Sequence, residues 1–285
     1  MKNNIEINAL ISLLDDPDNE VHEVVSNRIL SYGIPVISNL ESYWETTADL
    51  VLQERIEELI HNIHFDSLYK NFNNWKSNKS HDLLEGLILA AKFHYPDLKE
   101  ETVYNELNRI KRAIWLELNQ HLTILEKINV LSNILFQHIK LKSSEINYNQ
   151  KDEFLISKVL ESKNGNAISN GLLMFILSKL LEINLQVIGI PNQFILAAFS
   201  PDSSNQIPHD ILFFIDGTNG RIYSYKDIQS YFSRIQAPER TSFYAPLTNR
   251  ELIINYLIEF SKCYSNNNQE RKKELLSIVE LLKND

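Results

Sequence analysis

One cysteine, Cys263, stands in 285 residues. A single thiol excludes an internal disulfide and any zinc site built from several cysteines, and it fits a reducing compartment. Basic clusters are missing as well: the nearest, Arg271, Lys272 and Lys273, is flanked by Glu270 and Glu274. With a formal charge of -9 and a pI near 5.4, the chain lacks the patch that releases counterions from phosphates, so nucleic acid is not an expected partner. No apolar run approaches a membrane span, and MKNNIEINAL has neither the basic start nor the apolar middle of an export signal. No membrane association and a cytoplasmic location are therefore expected. Metal and cofactor signals are equally thin. His61 and His64 share a helical face with Asp66 close by, but no further ligand follows at matched spacing, and a partly exposed helix face explains them. Neither a metal nor a cofactor is expected.

What is present is ordinary globular material. A hydrophobic content of 44% over this length buries a real core, in one large or two modest domains. Periodicity divides it into three regions, 1–145, 146–240 and 241–285. In the first, apolar residues recur at threes and fours, with Pro17, Pro35 and Pro96 as the breaks, so it reads as helical throughout. Leu10, Leu13 and Leu14 line one short helix and Asp15 to Asp18 turn it. Val21, Val24, Val25 and Ile29 line the next, which Gly33 and Pro35 end. This is a HEAT-like helical hairpin; a single pair falls short of a solenoid, so it is expected to pack on the rest of its domain. In HDLLEGLILAAKFHYPDL, Asp82 and Glu85 have capping-box spacing, which accounts for both carboxylates without giving Glu85 the role of a buried catalytic acid. The apolar body of that helix is expected to be central.

The second region changes character. FLISKVLESKNG reads as an amphipathic helix ending at Asn164 and Gly165, and AISNGLLMFILSKLLEI as a longer helix with an apolar body. NLQVIGI and QFILAAF are short β-rich runs with Pro191 and Asn192 turning between them. Beyond a polar loop at 201–210 comes ILFFID, and Gly217 to Gly220, with the Asn-Gly pair at 219 and 220, suits a hairpin into RIYSY. A small antiparallel sheet on helices follows. In the third region Thr248 or Asn249 starts one helix and Ser265 to Asn268 separates it from another, a tetratricopeptide-like hairpin. The fold class is α+β, mostly helical.

DDPDNEV, DLLEGLILAAKFHYPDL, FLISKVLESKNGNAIS, VIGIPNQFIL, FIDGTNG and FYAPLTNRELI occur in this order. Together they resemble the SirB1-like family across nearly the whole chain. That resemblance implies an N-terminal helical region, a transglutaminase-like core and C-terminal tetratricopeptide-like helices.

The departures from the pattern bear on function. In active thiol enzymes of this kind a cysteine at the start of the core helix is the nucleophile, its thiolate stabilised by the helix dipole and a histidine. Aligning the Gly-x-Cys pattern on Gly165 and Asn166 puts that position on Ala167, where SirB1-like relatives commonly carry proline. Where the family has Gly-His, this chain has Asn192 and Gln193, and glutamine takes no proton near neutral pH. Asp216 remains of the triad, and a role capping its own turn suits it. Ser169 with His209 is a conceivable replacement pair, against a helix-start cap and a solvated loop residue. Cys263 reads as a small buried hydrophobe. The resemblance therefore implies a non-catalytic, protein-binding or regulatory module, the alternative being an amide-bond hydrolase or transferase with a replaced nucleophile. A groove kept from the ancestral site is expected to be lined by Asn166, Ala167, Ser169, Asn170, Asn192, Asn219, Gln193 and Asp216, with the amides of Asn166, Asn170 and Gln193 placed to hold a protein or peptide partner.

Overall fold

The computed structural model describes residues 2–16, 18–200, 207–264 and 268–284. Its chain divides into two compact units, residues 1–77 with 92–96 and residues 78–91 with 97–285. Among the described residues no helix is long and apolar enough to cross a membrane.

The first unit is helical: α1 (Lys2–Ser12), α2 (Asn19–Leu30), α3 (Ile37–Thr46) and the long α4 (Leu50–Ser77). The side chain of Asp18 accepts from Glu20 N at 2.9 Å and so starts α2, and Gly33 takes φ of 65° just beyond its end. Ile7, Ile11 and Leu14 of the first helical segment, Val25 and Ile29 of α2, and Leu52, Ile56, Leu59 and Ile63 of α4 form one buried cluster. This corrects the expected hairpin stripe, because Leu13 is 43% and Val24 69% exposed. The buried row runs 7, 11, 14, and a residue one step away lies about 100° round the helix. Arg55 donates to the carbonyl of Leu14 at 2.8 Å, fixing the end of the first helical segment to α4. His61, His64 and Asp66 all lie on α4; among the described residues no three His, Cys, Asp or Glu side chains come together as a metal site.

The second unit opens with α5 (Leu83–Lys92), α6 (Glu100–Trp115) and α7 (Ile124–Asn133), which runs on into a π turn at Ile134–His138. Asp82 accepts from Glu85 N at 2.8 Å, and the Glu85 side chain is exposed, as capping requires. Helices α6 and α7, grouped by periodicity with the N-terminal region, belong to the unit that holds the sheet. There follow β1 (Lys142–Ser144), α8 (Ile156–Ser162), β2 (Asn164–Asn166) and α9 (Ala167–Leu180). Helix α8 ends earlier than the sequence suggested, at Lys163 with φ of 59°, and Asn164 to Asn166 pair in parallel with Lys142 to Ser144.

Helix α9 is apolar on every side, and Leu172 to Leu177 are all buried, so it is the central helix of this unit. Beside it lies an antiparallel sheet in the order β3 (Leu185–Ile188), β4 (Ile195–Phe199), β5 (Ile211–Asp216), β6 (Ile222–Tyr223). All five residues of β4 are buried, which requires cover on both faces. Helix α10 (Tyr225–Arg234), which the sequence reading did not anticipate, supplies the second cover. Its Ile228 and Phe232 pack with Ile195, Ala197 and Phe199, the residues that share one face of β4.

Thr248 and Glu251 form a reciprocal capping box for α11 (Asn249–Ser261), and Asn268 caps α12 (Gln269–Lys283). Arg250 donates from Nε to Leu282 O at 2.6 Å and from Nη2 to Asn284 O at 2.8 Å. A cation from the start of α11 thus meets the carbonyl end of α12, and the two helices run antiparallel. Residues 265–267 of the turn expected between them, and 201–206 of the polar loop, lie outside the described residues.

Candidate functional site

The first turn of α9 is built by side chains that reach back to the backbone. Asn166 Oδ1 accepts from Ile168 N at 3.0 Å and Ser169 N at 3.1 Å, while Ser169 Oγ accepts from Asn166 N at 3.0 Å and donates to Glu153 O at 2.6 Å. This is a capping box that also pins the preceding loop. Asn170 Nδ2 donates to Lys142 O at 3.0 Å, and its Oδ1 lies where a side chain at Gly165 would go, 2.2 Å from an added Cβ. Asn166 and Asn170 are 0% exposed and Ser169 2%. These three residues, expected to line a groove, are therefore enclosed by β1, β2 and the Lys151–Glu153 turn; Asn166 Oδ1, Ser169 Oγ and Asn170 Nδ2 serve the fold, while Asn166 Nδ2 and Asn170 Oδ1 are buried without a hydrogen-bond partner.

The segments that carry Ala167, Gln193 and Asp216 meet at this end of α9. A Cβ on Gly217 would stand 2.7 Å from Gly171 Cα and 3.1 Å from Ala167 O, so the residue after Asp216 touches α9 through bare backbone. Phe194, the residue after Gln193, lays its ring against Gly171 one turn further along. Ile195 and Asp216 are register partners on β4 and β5. Ala167 itself is half-buried and Gln193 exposed.

Asp216 is occupied with its own turn. Its Oδ1 accepts from Thr218 N at 2.8 Å, its Oδ2 accepts from the Tyr223 hydroxyl at 3.4 Å, and its carbonyl accepts from Gly220 N at 2.9 Å. Burial first, and the Asp216 charge next, push the Tyr223 phenol above its ordinary range. Asn219 sits exposed in the same turn and accepts from Arg221 N at 2.8 Å. Asn192 adopts φ of 57° at the tip of the β3–β4 hairpin.

Two cavities flank that hairpin tip. The larger, about 510 Å³, is bounded by Ile168 at the start of α9, Ile188, Asn192 and Gln193 of the hairpin, and Leu252 and Glu259 of α11. The smaller, about 350 Å³, lies toward α10 between Ile195, Tyr223, Ile228, Tyr231 and Arg234. Ile190 and Gln193 border both. Sequence reasoning missed one polar wall of the larger cavity. There the Tyr148 hydroxyl donates to Glu259 Oε2 at 2.8 Å, Lys262 pairs with Glu259 Oε1 at 2.6 Å, and the Lys262 ammonium lies 5.5 Å from the centre of the Tyr148 ring. The hydrogen bond to Glu259 chiefly raises the Lys262 pKa, and burial followed by Glu259 raises that of Tyr148. No local signal marks these residues, since Tyr148 and Glu259 lie 111 positions apart.

Nucleophiles are scarce here. Ser169 Oγ is enclosed and hydrogen-bonded, His209 is exposed in the turn before β5, and burial pushes the Cys263 thiol up to about 12, where it stays protonated.

A family model described as "Transglutaminase-like superfamily" matches residues 101–257, from α6 through most of α11, and takes in the lining of the smaller cavity and that of the larger except Glu259 and Lys262. The chain belongs to the transglutaminase-like superfamily. Within it the SirB1-like resemblance also holds. UPF0162 protein YchA of Escherichia coli K12 is 26% identical over 171 residues, 60% of this chain and 61% of that protein. Protein SirB1 of Salmonella typhimurium is 28% identical over 114 residues, 40% of this chain and 42% of that one. The aligned part of this transglutaminase-like chain thus spans about three fifths of its curated relatives at most. No solved structure matches it.

Proposed function

We propose that this SirB1-like chain is a non-catalytic member of its superfamily, cytoplasmic, that binds a protein or peptide partner through the face of its core around Gln193. One observation carries the reading. In the positions that the resemblance aligns with the superfamily's nucleophile, base and acid, this chain has the methyl of Ala167, the carboxamide of Gln193 and a carboxylate, Asp216, engaged in its own turn. A methyl and a carboxamide neither attack an acyl carbon nor take a proton at neutral pH, and both oxygens of the carboxylate already accept hydrogen bonds, from Thr218 N and the Tyr223 hydroxyl. Two cavities remain beside them, bordered by exposed carboxamides that donate and accept as a peptide bond does.

The experiment compares wild type with the Asn192→Arg, Gln193→Arg double variant at two exposed residues, and because Asn192 holds φ of 57° a thermal melt of each protein verifies that both fold. Wild type is expected to retain specific partners from cytoplasmic extract that the variant releases, and to liberate no ammonia from glutamine-containing peptides. Retention of the same partners by both proteins defeats the binding-face reading, and turnover above a denatured control defeats the non-catalytic one.

A further inference from the structure

Apart from the face around Gln193, helix α6 presents a surface that the fold does not use. We propose that the outer face of α6 docks an acidic segment of a protein partner, which sets a large apolar side chain against Trp115 and Leu116 and carboxylates against Lys111 and Arg112.

The register of α6 fixes which way that face points. Val103, Leu107, Ile110 and Ile114 are its buried row. Asn105, Asn108, Arg112 and Trp115, three and four apart, form a second row on the solvent side, and all four are exposed. Trp115 is 63% and Leu116 68% exposed, although a tryptophan side chain offers about 150–250 Å² to a neighbour. A concavity of about 740 Å³ runs along this face from Asn105 to Leu116 and shares no residue with either cavity at the hairpin tip.

Charge selects the occupant. The chain holds 37 acidic side chains against 28 basic ones, yet cations on this face go unanswered. Glu106 is taken by Arg109, through two bonds of 2.8 Å, and by Lys163. Lys111 and Arg112 pair with no carboxylate among the described residues. Glu100 and Glu101 stand in the first turn, at the opposite end of the helix. A cation in the last turn complements the carbonyl end of a helix, which suits Arg112, but that role calls for no indole or leucine in water beside it. Tryptophan and arginine are the residues that concentrate at the buried centres of protein interfaces. The carboxamides of Asn105 and Asn108 continue the row with groups that donate to and accept from a partner's backbone. A nucleic acid or an anionic bilayer fits less well. An extended anionic surface also faces the other acids of a chain with a net charge of -9, whereas a short segment feels the cations within about 8 Å of it.

The test is an NMR titration of the isotopically labelled full chain, read at the Trp115 indole N–H and the Leu116 amide, with capped peptides of equal length. The first carries two leucines among glutamates, the second has glutamines for the glutamates, and the third has serines for the leucines. Phosphatidylglycerol vesicles and a thymidine oligonucleotide are titrated beside them. The first peptide is expected to saturate below about 1 mM, and Arg112→Glu and Trp115→Ala, both at exposed positions, each to weaken it by about tenfold. Thermal melts verify that both variants fold, and the comparison among peptides rests on wild type alone. Equal binding of the glutamine or serine peptide, indifference to either substitution, tighter binding of vesicles or oligonucleotide, or no saturable shift overturns the proposal. Movement of the same signals when the protein alone is concentrated overturns it too, because the occupant is then a second copy of this chain.

Discussion

The ring of Phe194 occupies the space that a side chain at residue 171 would need: an added Cβ on Gly171 would lie 2.3 Å from both Cδ1 and Cε1 of Phe194. The hairpin tip that carries Gln193 is thereby seated on α9 through a glycine. Gly171→Ala is expected to lower stability by about 1–3 kcal/mol through overpacking, despite the better helix propensity of alanine. Adding Phe194→Ala should relieve part of that loss. Thermal melts of the four proteins of the cycle measure the coupling, and simple additivity would show that ring and glycine do not constrain each other.

Asn166 holds both the Ile168 and Ser169 amides, in a site with no solvent to replace it. Asn166→Ala should cost about 1–2 kcal/mol in urea unfolding. The Nδ2 of Asn166 is buried without a partner, so Asn166→Ser, which keeps an acceptor and discards that donor, should lose markedly less. Equal losses would mean that cavity formation, rather than the cap, sets the cost.

Glu106 on α6 carries a strongly depressed carboxylate, held down to about 2 by Arg109 first and Lys163 next. Its ordinary value is 4.5, so its contribution to stability is complete above that pH and is lost as pH falls toward 2. Allowing for solvent screening, Glu106→Gln should cost about 1 kcal/mol at pH 7. Urea unfolding of both proteins should show this gap narrowing between pH 4.5 and 2. A gap that stays constant through that range would remove the ion pairs as its cause.

A thiol and an imidazole introduced at residues 167 and 193 probe whether the two side chains face each other. Cys263 is silenced by burial, and a Cys263→Ser background removes it altogether. In that background Ala167→Cys gains a single thiol at the start of α9. Adding Gln193→His should move the pH midpoint of its alkylation down by about one unit or more, as an imidazolium neighbour stabilises the thiolate. An unchanged midpoint would show that the two side chains point apart.

Some of this architecture is legible from residue pattern alone. The apolar body of α9, the short β-rich runs of the antiparallel sheet and the Thr248 start of α11 follow from local physics that tertiary packing did not override. The missed elements depend on distant partners. Asn164 to Asn166 pair with Lys142 to Ser144 through backbone bonds between segments about twenty residues apart, which leave no periodicity in either. The buried asparagines misled for a related reason. A polar residue beside a presumed site reads as groove lining until its partners are known, yet Asn at the cap and Ser three residues later was a capping signature in plain view. Leu13 and Val24 show the other limit, since adjacent apolar residues on a short helix leave the buried row ambiguous by one step.

Gly217 meets Ala167 and Gly171 backbone to backbone. That seam is made of backbone atoms and uses no side chain of residue 167. A change at 167 that leaves the backbone in place therefore keeps the turn after β5 against α9, whereas any side chain added at 171 or 217 would wedge the two apart.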